Sequence, residues 1–104
     1  LQEGFGAAEA DLQARRLQEA RVEAERLTLA TDAALVADGD LLSASEHQTI
    51  LALVAAARNA AQGGDADAIT SAVEALAQGT EALAAERMNR GIQRALAGRR
   101  VEEL

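Results

Sequence analysis

Residues 38–50 read DGDLLSASEHQTI, a dense run of polar and potentially reactive side chains that includes the one histidine of the chain. Two interpretations are open for this stretch. It is either a ligand-binding loop or the junction at which one helix stops and the next begins. The fold depends on the choice, because a short junction between two helices places them antiparallel.

A calcium loop does not fit this stretch. An EF-hand loop needs acidic or amide ligands at positions 1, 3 and 5, glycine at position 6 and glutamate at position 12. With Gly39 at position 6, Ala34 and Ser45 fall at positions 1 and 12, and starting the loop at Asp38 fails as well. His47 lacks the several nitrogen or sulfur ligands that zinc requires, and we expect it at the exposed start of a helix.

A helix junction accounts for the polar residues of the stretch. Gly39 suits the left-handed position that ends many helices. Ser43 is then a natural N-cap, and Glu46, three residues later, completes a capping box. Further along the chain, Gly63 and Gly64 end the second predicted helix, and Asp65 caps the third. These six residues are our predicted structural caps.

The helical periodicity between these junctions gives the predicted organisation of the chain. We expect helices over about 7–37, 44–62, 66–79 and 80–97, with Gly98 as the last stop signal. Residues 1–6 are predicted to be a linker or a frayed end, and residues 99–104 a polar tail. Gly79 lies inside the third periodic stretch and is expected to mark a kink or a close helix crossing.

The apolar residues of the first predicted helix fall on two stripes. One comprises Leu17, Ala20, Ala24, Leu27, Thr31, Ala34 and Leu35, and the other comprises Val22, Leu29, Ala33 and Val36. Because it is apolar on two sides, the C-terminal half should lie among other helices. The polar N-terminal half should either project or pack on something outside these residues. The prediction is an all-α fold, a small antiparallel helical bundle with a long, protruding N-terminal helix.

The composition excludes several classes of function. A net charge of −7 argues against nucleic acid and anionic membranes as partners. The chain has no lysine and no cysteine, which removes the phosphate-loop lysine, Schiff-base chemistry and thiolate sites. No apolar run approaches the roughly 20 residues that span a bilayer. We therefore predict no catalytic, cofactor-binding or metal site, and no enzymatic activity, for these residues.

Arginines cluster near the C-terminal end, at positions 87, 90, 94, 99 and 100, opposite an apolar side formed by Met88, Ile92, Ala95 and Leu96. One interpretation is electrostatic, because basic residues near the end of a helix complement its dipole. The other is a docking surface for an acidic partner.

Four segments carry a resemblance to a known family: ARRLQEARVEAERL (14–27), ALVADGDLLSASE (34–46), AAQGGDADAITSAVEAL (60–76) and AAERMNRGIQRALAGRRVEEL (84–104). In their order and spacing they resemble the C-terminal helical lid of the DnaK class of ATP-dependent chaperones, the 70-kDa heat-shock family. The arginine-rich final segment and the ending VEEL are most similar to the HscA branch, which serves bacterial iron–sulfur cluster assembly.

The resemblance implies a role. In this family a nucleotide-binding domain uses ATP and magnesium, a β-sandwich grips a peptide, and the helical lid closes over it. It implies as partners the β-sandwich of the same protein and, indirectly, an iron–sulfur scaffold protein and a J-type co-chaperone, in the cytoplasm. The positions that match the polar latch of DnaK are Glu25 and Leu29. Glu25 retains a polar side chain, whereas Leu29 cannot make the same contact.

The residues themselves leave an alternative. The chain could be a stand-alone helical adaptor or an oligomerisation module that uses a surface around Leu17 and Leu27 and another over residues 87–94. The lid interpretation also exposes a stripe on the first helix that a β-sandwich would cover, with Leu17 among its possible contacts. Either interpretation predicts possible self-association of the isolated chain.

Overall fold

The computed structural model describes the backbone of residues 2–103 and the side chains of residues 6–98. Over these residues the chain forms four α-helices and one short 3-10 turn. The helices are α1 (Gln2–Asp38), α2 (Ala44–Ala61), α3 (Ala66–Gly79) and α4 (Glu81–Glu103), and the 3-10 turn is Gly39–Leu41. The molecule is elongated, 75 × 32 × 17 Å. The predicted all-α bundle with a long N-terminal helix is confirmed.

The helix bounds differ from the prediction mainly at the two ends of the chain. Residues 2–6, expected as a linker, belong to α1, and α4 runs through Gly98 to Glu103 instead of ending at residue 97. A glycine stops a helix by adopting a left-handed conformation, and none of the described glycines has a positive φ. Without that conformation Gly98 merely weakens the helix locally. Leu1 and Leu104 lie outside the described residues.

The core of the bundle lies between α1, α2 and α3. It is built from Ala34, Ile50, Val54, Ala57, Leu76 and Leu83, and leucines including Leu27 and Leu53 close its edges. Of these residues, Leu27 and Ala34 belong to the first predicted stripe of α1. On α1 the inner stripe also includes Thr28 and Thr31, which are buried and whose hydroxyls donate to the carbonyl oxygens of Glu25 and Leu27. Small side chains on α1 let its neighbours pack closely.

The contacts along α1 show the direction of every other helix. α2 runs antiparallel to α1, because Arg21 of α1 reaches Ala61 at the end of α2, whereas Gly39 lies beside His47 near its start. α3 and α4 both run parallel to α1, because Leu17 lines a groove with Asp65, and Asp38 contacts Arg87. The bundle therefore has the antiparallel order predicted for α1, α2 and α3, and α4 departs from it.

The junction between α3 and α4 is a bend of a nearly continuous helix. The amide of Thr80 donates to the Leu76 carbonyl at 3.1 Å, and the amide of Ala84 donates to Thr80 at 2.9 Å, so the helical bonding crosses the junction. Gly79 also lies against Leu53 of α2, where a Cβ would overlap the Cδ1 atom of that leucine. Gly79 therefore marks both the bend and the close crossing that the sequence predicted as alternatives.

Candidate functional site

The two sides of α1 differ sharply in the bundle. Its inner side is covered by α2, α3 and the start of α4, whereas its outer side remains open. Val22, Leu29 and Val36, spaced seven residues apart, are 54%, 57% and 89% exposed on that outer side. The second apolar stripe is thus not covered by other helices within the described residues, contrary to the expectation that the C-terminal half of α1 lies among them. We call this stripe the outer face of α1.

The predicted lid contacts divide between two places. Glu25 and Leu29 lie together, one helical turn apart, beside a groove between α1 and the end of α2. Leu17 lies elsewhere. It is half-buried and lines a separate groove with Asp65 and Ala66 at the start of α3. The structure therefore brings Glu25 and Leu29 into one surface and leaves Leu17 outside it.

Polar contacts fix α2 against α1 and so hold the outer face open. The guanidinium of Arg21 donates to the carbonyl oxygens of Ala61 at 3.1 Å and Gly63 at 2.8 Å. These carbonyls end α2 and have no helical partner, so Arg21 satisfies them and its charge complements the helix dipole. Arg58 of α2 pairs with Asp32 of α1. The sequence analysis did not foresee either contact.

The first junction contains the capping box but not the left-handed glycine. The Ser43 hydroxyl accepts from the Glu46 amide at 3.1 Å, and the Ser43 amide donates to the Glu46 carboxylate at 2.9 Å. That amide holds the pKa of the Glu46 carboxyl below its ordinary value. Gly39 instead belongs to the 3-10 turn, and its φ is not positive. The expected left-handed stop is therefore wrong, because the chain continues from α1 into a tighter helical turn.

His47 also differs from its expected exposed position. It is half-buried, and a Cβ at residue 39 would lie 3.7 Å from its Cδ2 and Nε2 atoms. The imidazole thus lies near Gly39, at a distance that would also accommodate a Cβ. This contact gives both residues a packing role at the junction.

The second junction is built largely as its sequence suggests. The Asp65 carboxylate accepts from the amides of Asp67 at 3.0 Å and Ala68 at 3.3 Å, which is an N-cap. The Gly63 amide donates to the Ala60 carbonyl at 3.0 Å, and Gly64 lies in the following bend. Arg21 adds the capping of the Gly63 carbonyl from another helix.

An acid–arginine cluster joins the first junction to α4. Arg87 Nε donates to Asp38 Oδ2 at 2.8 Å, and Arg90 Nη1 donates to Asp38 Oδ1 at 3.0 Å. Arg90 also binds Asp40 with both terminal nitrogens, at 2.9 and 2.7 Å. Asp38 is buried, and Arg90 is partly shielded. We call these four residues the Asp–Arg cluster, and it holds α4 beside the end of α1.

The ion pairs of the Asp–Arg cluster shift the pKa values of Asp38, Asp40 and Arg90. Hydrogen bonding to Arg87, with a further bond from Arg90, holds the pKa of the Asp38 carboxyl below its ordinary value of 3.8. Hydrogen bonding to Arg90 lowers the pKa of Asp40 in the same way, and Arg94 adds a weaker attraction. The two carboxylates raise the pKa of Arg90. Asp38, Asp40 and Arg90 are therefore charged at neutral pH.

For Arg87 and Arg90, this cluster corrects both earlier interpretations, the complement to a helix dipole and the docking surface for an acidic partner. They lie in the first half of α4, not at its end, and their partners are aspartates of the same chain. The surface over residues 87–94 is therefore not free in the way that the adaptor alternative assumed. Leu17 and Leu27, its other proposed surface, are half-buried against the bundle. The sequence signal that we missed was the Asp-x-Asp pair at 38 and 40 together with the two arginines, three residues apart, at 87 and 90.

The described residues contain neither a candidate metal site nor a candidate membrane span. Within them, no group of three or more His, Asp or Glu side chains could hold a metal ion. Among the helices described, none has the length and apolarity needed to cross a membrane. The features that remain for function are surfaces: the outer face of α1 and the protruding helix α4.

Comparison with known proteins gives these surfaces a context. No protein-family model matches the chain. The chaperone protein HscA homologue of Methylibium petroleiphilum is 64% identical over 104 residues. The HscA homologues of Burkholderia mallei and Burkholderia thailandensis are 59% and 58% identical over the same length. In each case the match covers 100% of this chain and 17% of the relative.

By these matches the chain is similar to part of a chaperone. Among the chaperones it resembles the C-terminal part of HscA, and the predicted resemblance to an HscA-like lid is confirmed. The match falls on the non-ATPase region of these relatives, which bears out the prediction that these residues carry no enzymatic activity. The chain spans about 17% of the length of the relatives that it matches.

Proposed function

We propose that this chain is the lid of an HscA-like chaperone and that the outer face of α1 covers a β-sandwich domain with its bound peptide. The observation that carries the proposal is the division of α1 into a covered inner side and an open apolar outer side. An exposed apolar stripe of this kind marks a surface that binds another domain or protein. The match of all 104 residues to the C-terminal part of HscA homologues indicates a chaperone as the source of that surface.

The bundle in this proposal acts as a rigid mass behind the covering helix. α2 and α3 pack on the inner side of α1, and Arg21 and the Asp32–Arg58 pair tie α2 to it. Arg21 and Arg58 line the groove beside Glu25 and Leu29, so these contacts border the surface that closes on the β-sandwich. Residues 6–16 have exposed side chains, although Arg16 still pairs with Asp67 at the start of α3. In this proposal they form the lever that leads to the β-sandwich.

The latch in this proposal is largely apolar. Leu29, at a position that is polar in DnaK by resemblance, is 57% exposed and lies one turn from Glu25. Burial of the Leu29 side chain would stabilise the closed lid, and Glu25 could accept a hydrogen bond from a loop of the β-sandwich. The resemblance extends the proposal to iron–sulfur cluster assembly in the cytoplasm, with a scaffold protein as substrate, a J-type co-chaperone, and ATP with magnesium in the nucleotide-binding domain.

Peptide release from the full-length chaperone tests the lid. In the ADP state, Leu29→Ser should speed the release of a fluorescent peptide by roughly tenfold, which corresponds to about 1.4 kcal/mol of lost apolar contact. Deleting the helical segment should speed release at least as much. Leu51→Ser is the matched control, since Leu51 is an exposed leucine on α2 and not on α1.

Two outcomes would count against the proposal. Unchanged release in Leu29→Ser and in the deletion would leave these residues without a lid function and would favour the adaptor alternative. Equal acceleration in Leu29→Ser and Leu51→Ser would indicate a general loss of stability. Circular dichroism of each variant separates that case from a loss of contact at the outer face.

A further inference from the structure

The helix α4 is attached to the bundle at two places that differ in kind. Near its start, Leu83 is buried in the apolar core, one turn after Thr80. Two turns further on, Arg90 donates hydrogen bonds to the carboxylates of Asp38 and Asp40 in the Asp–Arg cluster. The first attachment is apolar and the second is ionic.

Apolar packing contributes little to the position of α4 after its first turn. A groove of about 210 Å³ lies between α1 and the start of α4, and Leu27 and Ala34 are among the α1 residues that line it. Further along α4, Met88, Ile92 and Leu96 are 69%, 51% and 52% exposed. The position of α4 beside the end of α1 therefore depends on its ion pairs.

The change of direction between α3 and α4 occurs at Thr80. Its φ of −104° and ψ of 1° differ from the α-helical values of about −63° and −42°. Its hydroxyl donates to the carbonyl oxygens of Leu76 at 2.9 Å and Ala77 at 3.1 Å, a kind of bond that often bends helices. Because one residue carries the departure and helical backbone bonds span it, a small rotation there changes the angle of α4.

We propose that α4 has two positions, with Thr80 as the hinge between them and the Asp–Arg cluster as the latch of the position that the structure shows. In the second position the cluster is open, and α4 remains helical but lies further from the end of α1. Leu83 is about 4.5 Å along the helix from the hinge and Arg90 about 15 Å. A turn of about 20° moves Leu83 by less than roughly 2 Å and Arg90 by about 5 Å, which breaks the cluster and keeps the core.

The latch is built to respond to its ionic surroundings. Arg90 makes three of the four hydrogen bonds described for the cluster, so the latch depends mainly on one side chain. Arg87 and Asp40 are open to solvent, where salt screens their attraction. Opening the latch would widen the groove between α1 and α4 and expose Leu27, so α4 controls access to part of the inner side of α1.

Spin labels on the 104-residue chain test the two positions, because the chain has no cysteine of its own. The pair Ala33→Cys and Gln93→Cys joins an exposed site on α1 to one on α4. At low salt we expect one main distance. Arg90→Gln, or high salt, should add a longer component, displaced by about 7 Å for a turn of about 20°. Arg94→Gln is the matched control and should keep the single distance, since Arg94 adds only a weaker attraction to Asp40.

A second label pair distinguishes a swing of α4 from its unfolding. Ala82→Cys and Ala97→Cys are both at exposed positions of α4, about 22 Å apart along the helix. Their distance should stay single in Arg90→Gln, because α4 moves as one helix. A broad distribution in that variant would mean that α4 unravels when the cluster opens, and the hinge would be wrong.

Substitutions at residue 80 test the hinge itself. Thr80→Val removes the hydroxyl with little change in shape and should populate the longer distance between residues 33 and 93, whereas Thr80→Ser should not. Thr49→Val is the matched control, since the Thr49 hydroxyl donates to the Ser45 carbonyl at 3.0 Å inside α2. If Thr80→Val behaves like Thr49→Val, the hydroxyl of Thr80 does not set the angle of α4.

Two further results would overturn the latch. A single, unchanged distance in Arg90→Gln at every salt concentration would mean that other contacts hold α4. A longer component as large in the parent chain at low salt as in Arg90→Gln would mean that the cluster does not select between the positions. None of these measurements uses peptide release, so the hinge and the proposed lid function can fail separately.

Discussion

The bundle of α1, α2 and α3 and the protruding helix α4 are held in different ways. The bundle is closed by apolar side chains, of which Ile69 and Leu76 are fully buried. α4 contributes Leu83 to that core and is otherwise held by the Asp–Arg cluster. Ion pairs are screened by salt and are lost once the pH falls below the lowered pKa values of their carboxylates, whereas apolar side chains carry no titrating group. The two regions should therefore respond to different perturbations.

The largest expected effect is on the bundle. Leu76→Ala should lower the free energy of unfolding by about 2–5 kcal/mol, because it leaves a cavity among α1, α2 and α3. Urea denaturation followed by circular dichroism measures this change. Leu96→Ala, at an exposed position of α4, is the control and should change the unfolding free energy little. Equal losses in the two variants would contradict the distinction between the regions.

A smaller effect is expected at the first junction. Ser43→Ala removes the hydroxyl that caps α2 and should lower the free energy of unfolding by about 1 kcal/mol. Ser45→Ala is the control, since Ser45 lies inside α2 and its side chain makes no described cap bond. Thermal unfolding compares the two variants. A neutral Ser43→Ala would mean that the cap contributes little against the packing of the junction.

The smallest effect on global unfolding is expected from the Asp–Arg cluster, whose loss should act on α4 alone. The pKa values of Asp38 and Asp40 are lowered, so their contribution is fully present above the ordinary value of 3.8 and is lost as the pH falls through the lower, folded values. Amide exchange of α4 should therefore stay unchanged from pH 7 to about 5 once corrected for intrinsic rates.

The variant Asp38→Asn tests the same cluster at neutral pH. It should speed amide exchange in α4 while leaving exchange in α2 and α3 nearly unchanged, because it removes a charged partner of Arg87 and Arg90 but no apolar contact. High salt should act in the same direction as the substitution. Asp11→Asn, on the exposed N-terminal part of α1, is the control. Release of the entire bundle would show that α4 is integral to the core.

Local signals in the sequence were sufficient for most of the bundle. The bounds of α2 and α3 followed from Ser43, Glu46 and Asp65, because a cap is a contact within one helical turn. The inward stripes followed from periodicity, since the side of a helix that packs on others is apolar over several turns. The glycines were less informative, because Gly39 and Gly98 end a helix only if the backbone turns left-handed there, and it does not.

The candidate surfaces were less predictable. The second stripe of α1 was apolar enough to suggest burial, and the structure leaves it open because α2 and α3 both lie on the inner side. The amphipathic pattern of α4 was recognised, but its polar side proved to be the one that contacts the bundle. Periodicity identifies two sides of a helix, and it does not say which of them a neighbour will cover when both have suitable partners.

The sequence by itself determined the helical class, the caps that begin α2 and α3 and the inner stripe of α1, because these depend on propensities and contacts within a few residues. It also carried the resemblance to HscA, which the matches over the whole chain support. The tertiary structure alone decided the direction of α4 and the pairing of Asp38 and Asp40 with Arg87 and Arg90. These contacts join residues about fifty positions apart, and they form only once the bend at Gly79 and Thr80 sends α4 along the end of α1.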